Sequence, residues 1–196
     1  MFTGIIKNLG LFKGYRHGKQ EMAIEAPSLA SQIEIGESLS VNGVCLSLTR
    51  KEKNTLFFNL SLETIKVTTL GSLRLNERLN LEQPLSLSTP LGGHLLSGYV
   101  DCRGKVLKIS ERKTGRRLNI SFPSDQRSYF IPKGSVAVNG VSLTIAELRS
   151  SWFEVELIPI TLKNSNLGDL RSGDAVNVEC DMIGKYVYNW ITRLKK

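Results

Sequence analysis

Cysteine is scarce. The chain has three, Cys45, Cys102 and Cys180, an odd number with no C-x-x-C spacing. That argues against a disulfide framework and a structural zinc site, and it fits a reducing, cytoplasmic compartment. Histidine occurs only as His17 and His94, too few for the usual metal centres. Aromatic residues make up 7%, with no string resembling an RNA-binding motif, so the stacking platform of a single-strand nucleic-acid binder is missing. No apolar run approaches the ~20 residues of a spanning helix, so no membrane partner is predicted. The start, MFTGIIKNLG, lacks the basic region and apolar core of a signal peptide. No G-x-G-x-x-G or P-loop string occurs, so no phosphate cradle is expected. Low-complexity tracts are also absent.

The net charge is +8, which raises the question of a nucleic-acid partner. The positive residues are scattered. The tightest groups are KTGRR, 113–117, with the glycine of a hairpin turn at its centre, and RLKK, 193–196, at the end of a helical pattern. Both read as solvated surface rather than as a phosphate-tracking stripe.

What is present is a repeat. VNGVCLSL, 41–48, returns as VNGVSLTI, 138–145, 97 residues later. At that offset residues 36–82 match 133–179 at 15 of 47 positions, where average composition gives about three. Ser38 falls on Ser135, Thr64 on Thr161, and LGSLRLNERLNLE on LGDLRSGDAVNVE. GIIKNLG, 4–10, is echoed by GYVDCRG, 98–104, at an offset of 94. The chain therefore reads as one module written twice, with domains at 1–86 and 96–182 and a linker within 85–93.

Each module reads as short strands separated by turns. SLSVNGVCLSLTR alternates around its Asn-Gly, and TLFFNLSL, RLNLEQ, RLNISF, WFEVELIP and AVNVECD are further strand-like runs. Short helical pieces are expected at PSLASQI and LETIKV. The fold class predicted is all-β: two tandem homologous antiparallel Greek-key β-barrels followed by a C-terminal α-helix. In that last segment, 183–196, Val187, Trp190, Ile191 and Leu194 form one apolar stripe. Such a helix docks on its own barrel or builds an oligomer, and the pattern favours neither.

MFTGII, GESLSVNGVCLSL, LETIKVTTLG, NLE, GGHLLSGYVD, KGSVAVNGVSLTI, LIPITL and VNVECD stand in this order along nearly the whole chain. Together they resemble the riboflavin synthase family of trimeric two-barrel enzymes. The resemblance implies a substrate, 6,7-dimethyl-8-ribityllumazine, two molecules of which exchange a four-carbon unit without cofactor or metal. It implies a homotrimer whose site lies between the first barrel of one subunit and the second barrel of a neighbour, and it leaves open an association with lumazine synthase. Two like substrates need two similar pockets. One donates and one accepts, so the pockets must differ, and Cys45 against Ser142 is a visible difference.

By the same resemblance Ser38, Val44, Cys45, Ser47 and Thr64 belong to the first pocket, and Lys133, Ser142, Thr144, Ile158 and Thr161 to the second. A cysteine on an alternating strand is ordinarily a small hydrophobe. Hydroxyls such as Ser142 and Thr144 ordinarily face water; inside a barrel mouth they could hold pyrimidine carbonyls and a ribityl chain. The resemblance places Phe2 and Thr3 over the site, where a terminus would otherwise fray. Asp181 matches an acidic residue at the subunit junction, although an Asp after a strand is more often a cap. His94, in GGH, matches the family's first histidine. There are departures: Tyr99 stands for the second histidine, Ile160 for a polar residue after LIP, and Ser47 for Thr. Asn139 stands where Asp is also common. A phenol donates a hydrogen bond but is a poor base near neutrality. The reading is a riboflavin synthase. The alternative is a lumazine- or flavin-binding paralogue of the antenna type, and a basic barrel that binds nucleic acid is third.

Overall fold

Both Asn-Gly pairs are tight hairpin turns, and the whole architecture is arranged about them. The protein is described from a computed structural model, over residues 1–194. The first half contributes β1 (Asn8–Arg16), β2 (Glu21–Glu25), β3 (Ser38–Val41), β4 (Val44–Glu52), β5 (Thr55–Asn59) and β6 (Arg78–Glu82). The second contributes β7 (Cys102–Arg112), β8 (Gly115–Ser121), β9 (Ser135–Val138), β10 (Val141–Leu148), β11 (Trp152–Leu157) and β12 (Ala175–Cys180). Each set closes into a six-stranded antiparallel barrel, in the orders β1-β2-β5-β4-β3-β6 and β7-β8-β11-β10-β9-β12. The expected helical pieces are α1 (Pro27–Ala30) and α2 (Leu62–Val67). The second-half counterpart of α2 is α3 (Pro159–Asn164).

Alternation along the strands sends one side chain of each pair inward. Leu39, Val41, Leu46, Leu48, Leu56 and Phe58 are among those that fill the first barrel. Their counterparts, such as Val136, Val138, Leu143, Ile145 and Val155, fill the second. A barrel of this size has room only for its own side chains. The polar positions of β4 and β10 therefore lie on the outer wall and not in a barrel mouth, the place the sequence had suggested for their hydroxyls.

Asn42 and Gly43 have φ of 47° and 81°, and Asn139 and Gly140 have 46° and 76°, which a tight two-residue hairpin requires. The two turns lie back to back. A Cβ on Gly43 would come within 2.7 Å of the Gly140 amide nitrogen, and one on Gly140 equally close to that of Gly43. A buried asparagine network surrounds them. Asn80 Nδ2 donates to the Asn139 carbonyl and Asn177 Nδ2 to the Asn42 carbonyl, both at 2.9 Å. Asn42 Oδ1 accepts from the Asn80 amide, and Asn139 Oδ1 from the Asn177 amide, both at 2.8 Å. Each half thus satisfies the other's turn about a pseudo-two-fold axis.

The leading segments cross between halves. Phe2 and Leu96 exchange backbone hydrogen bonds of 2.9 and 3.0 Å. Beyond them, Ile6 packs into the core of the second barrel, and its counterpart Val100 packs against the core of the first. Phe2 is buried, so this terminus does not fray.

The final helix, α4 (Met182–Leu194), begins one residue earlier than expected. Its first turns are anchored. Lys185 Nζ pairs with Asp101 at 2.9 Å, Gly184 packs on the Tyr129 carbonyl, and Tyr188 stands edge-on to Tyr129. The stripe of Val187, Trp190, Ile191 and Leu194 is exposed and does not dock on its own barrel. Residues 195 and 196, the end of the expected helix and of the RLKK group, lie outside the described residues. Among the described residues no helix is long and apolar enough to cross a membrane.

The asparagine network makes a prediction about stability. Asn80→Ala leaves the buried Asn139 carbonyl and the Asn166 amide without their asparagine partner. Urea denaturation should show a loss of about 2–3 kcal/mol, several times that of a substitution at an exposed strand asparagine such as Asn59.

Candidate functional site on the outer walls

On the β3–β4 hairpin, Ser38 lies opposite Ser47 and Ser40 opposite Cys45. On β9–β10, Ser135 lies opposite Thr144 and Ala137 opposite Ser142. Directly opposed residues of an antiparallel pair share a face, so each barrel carries a four-residue patch on its outer wall. Cys45 and Ser142 are half-buried, while Ser47 and Thr144 are exposed.

The crossing segments cover one end of each patch. β5 pairs with β4 only from Leu48 onward, which leaves the edge at Cys45 free. There Cys45 N–H donates to the Gly98 carbonyl at 2.9 Å, and in the other half Ser142 N–H donates to the Gly4 carbonyl at 2.9 Å. Phe2, Leu96 and Ala137, with Cys45 against them, form a small apolar cluster between the patches. Cys102 and Cys180 are buried core thiols, and burial pushes Cys102 up to about 12 and Cys180 higher still. Cys45 is the cysteine within reach of a ligand.

His94 joins only one patch. Its Nδ1 lies 2.7 Å from Ser142 Oγ, and its Nε2 is buried without a partner among the described residues. Burial holds its pKa below the ordinary imidazole value, and the Asp181 carboxylate opposes that shift. The ring is therefore neutral at physiological pH. Gly93 explains the preceding glycine: a Cβ there would lie 2.2 Å from the Thr3 carbonyl and 2.8 Å from Ser142 Oγ. Asp181 is also a cap, since its Oδ1 accepts from the Ile183 amide at 3.0 Å.

The remaining expected residues fall into place unevenly. Thr64 Oγ1 is 2.9 Å from Ser61 Oγ, the side chain that caps α2. Thr161 sits in α3, after a proline start that needs no amide partner. Ile158, Ile160 and Tyr99 are exposed apolar or aromatic groups. Lys133 has φ of 63° where its counterpart Gly36 has 94°. A lysine kept in the left-handed region, reaching the Ala146 carbonyl at 2.8 Å, bears local strain that often marks a site. The Val44 side chain points into the barrel core, which leaves only its backbone to meet a ligand. Thr3 Oγ1 and its amide bind Glu82.

Cys45, Ser142, Thr144 and Lys133 line neither of two larger grooves. One, of about 460 Å³, runs past Thr3, Ser38 and the linker. The other, of about 700 Å³, opens on the asparagine network. The patches belong to an open surface of one chain. The sequence reading missed Ser40, opposite Cys45, and the buried carboxylates Glu82 and Glu179. The signal for the last two was available, because NLE and NVE coincide in the repeat.

A family profile described as the lumazine binding domain matches this chain twice, over residues 3–84 and 97–181. Riboflavin synthase of Chlamydia pneumoniae is 36% identical over 99% of this chain and 96% of its own length. That of Actinobacillus pleuropneumoniae is 34% identical over 98% of this chain and 91% of its own. The chain belongs to the riboflavin synthase family. Among solved structures of this lumazine-binding fold, LumP complexed with 6,7-dimethyl-8-(1'-D-ribityl) lumazine superposes with a TM-score of 0.82 at 25% identity. It covers 91% of this chain and 98% of LumP. LumP complexed with riboflavin gives a TM-score of 0.84, also at 25% identity, over 92% and 99% of the two chains. Relatives of the riboflavin synthase family thus include a protein crystallised with lumazine and with flavin on the same two-barrel frame.

The His94 environment yields a titration prediction. Its imidazole midpoint, followed by NMR, should lie below 6.5, and Asp181→Asn should lower it further by removing the opposing charge. A midpoint raised by Asp181→Asn would contradict the placement.

Proposed function

We propose that this protein is a riboflavin synthase. Two molecules of 6,7-dimethyl-8-ribityllumazine are dismuted to riboflavin and 5-amino-6-ribitylamino-uracil by transfer of a four-carbon unit. Two copies of one substrate supply both products, so no external oxidant or reductant is needed. The observation that carries the reading is the pair of symmetry-related but unequal walls, Cys45 in one and Ser142 with His94 in the other. Near-equal walls suit two like substrates, and the inequality suits a donor and an acceptor.

The reaction needs a proton to leave the C7 methyl of the donor lumazine. That methyl is acidic because the ring spreads the resulting charge, so positioning and charge stabilisation carry much of the rate. His94 and Ser142 suit the proton transfer. If Nδ1–H donates to Ser142 Oγ, Nε2 holds a lone pair; if the hydroxyl donates, Nε2 holds the proton. The hydroxyls of Ser47 and Thr144 suit the pyrimidine carbonyls and ribityl chain, with Lys133 beside the second patch. Ile158 and Ile160 offer apolar surface to the ring, and Tyr99 offers an aromatic face.

Both walls are open in one chain, and α4 presents an apolar face that is exposed among the described residues. These features support a homotrimer in which the first wall of one subunit faces the second wall of a neighbour across a pocket open to small molecules.

A second reading is favoured by Tyr99 and Ile160 in place of family polar residues and by the likeness to LumP. It is a binding protein without turnover. Incubation with the lumazine distinguishes the two, followed by riboflavin absorbance and by binding stoichiometry. The enzyme reading expects steady riboflavin formation and two bound lumazines per chain. Cys45→Ser should lower kcat about 10- to 100-fold, the usual cost of disturbing one positioned contact. Tight binding of one lumazine without riboflavin would establish the second reading. Trp190→Glu, in the exposed stripe, should shift sedimentation from trimer to monomer and lower activity with it.

A further inference from the structure

Two buried carboxylates take no part in the chemistry above, yet each is the meeting point of three donors. Glu82 Oε1 accepts from the Thr3 amide at 2.7 Å and from Thr3 Oγ1 at 2.6 Å, and its Oε2 accepts from the Gly4 amide at 3.0 Å. Glu179 repeats the pattern. Its Oε1 accepts from the Ser97 amide at 2.7 Å and from Ser97 Oγ at 2.6 Å, and its Oε2 from the Gly98 amide at 3.2 Å. Glu82 and Glu179 are 8% and 3% exposed. Burial raises the pKa of both carboxyls, and the three converging donors oppose that shift by using both oxygens as acceptors.

The residues so held are the ones that cross. Gly4, fastened by Glu82 of the first barrel, gives its carbonyl to Ser142 of the second. Gly98, fastened by Glu179 of the second barrel, gives its carbonyl to Cys45 of the first. The Thr3 carbonyl also packs against Gly93, next to His94.

We infer that Glu82 and Glu179 are positioning residues acting crosswise: the carboxylate of each barrel sets the geometry of the reactive wall on the other barrel. Glu82 governs the Ser142–His94 wall and Glu179 governs the Cys45 wall. The crossing stands on the fold alone. Its consequence for catalysis, that Glu82→Gln and Glu179→Gln weaken different lumazine sites, rests on the riboflavin synthase reading.

Two reporters already in the chain test it without any substrate. The half-buried Cys45 is alkylated by iodoacetamide at a rate read by peptide mass spectrometry, while Cys102 and Cys180 are buried. His94 is one of two histidines, so its NMR signals are assigned with a His17→Gln variant. Glu179→Gln replaces one acceptor oxygen by an NH2 group, loosens Gly98 and should speed Cys45 alkylation about fivefold or more, leaving the His94 midpoint in place. Glu82→Gln should raise the His94 midpoint toward the ordinary imidazole value as its cover loosens, with the Cys45 rate unchanged. The milder variants Thr3→Val and Ser97→Ala each remove one donor and keep the carboxylates. They should give the same crossed pattern in smaller measure, and they decide the matter if a Gln variant does not fold. The inference is overturned if both reporters move together or if each carboxylate moves the reporter on its own barrel. A parent chain that binds lumazine without turnover would instead sink the enzyme reading and leave the crossing intact.

Discussion

Everything in this molecule depends on two peptide turns that touch. Gly43 and Gly140 meet with no room for a Cβ on either, and the carbonyl beside each is bound by an asparagine of the other half. An unpaired buried carbonyl costs enough that neither turn could be buried in this way by itself. The halves are therefore joined by mutual satisfaction of backbone groups as well as by apolar contact. That directional contact sets the register in which the leading segments cross to the opposite barrel. The placement of Cys45, Ser142 and His94 follows from it.

Closed six-stranded barrels have no space for a ligand, so chemistry has to be built on their walls. A wall gains reactive groups only where pairing leaves an edge. The start of β4 and of β10 is such an edge, because β5 and β11 fall short of it. The crossing segments fill those edges with glycine carbonyls and bring a linker histidine with them. Duplication supplies two matching edges, and small substitutions make them unlike.

Much of the fold was legible in the sequence. The Asn-Gly turns, the alternation of β3–β4 and β9–β10, the short helices and the final amphipathic helix all follow from local pattern, which reports on neighbours one turn or one strand away. The repeat then related the halves. What local pattern could not carry was which face of a strand would meet a ligand. Ser142 and Thr144 alternate with apolar residues whether the polar side faces a lumen or the outside, and only barrel size decides. The crossing was equally hidden, since Ile6 and Val100 look like ordinary core residues wherever they pack. Glu82 and Glu179 sat in view within the repeat, but a charged residue at a strand end usually means solvent.

The linker deserves a different reading from the rest of the repeat. His94 bonds Ser142 of the second wall, while the other histidine of the sequence, His17, lies in the turn after β1. A chain of two modules has two starts but only one junction. Whatever the junction carries is delivered to one side of the pseudo-two-fold axis and has no twin. Unlikeness between the two walls therefore has two sources: the single junction that carries His94 to Ser142, and the exchange of Cys45 for Ser142 within the repeat.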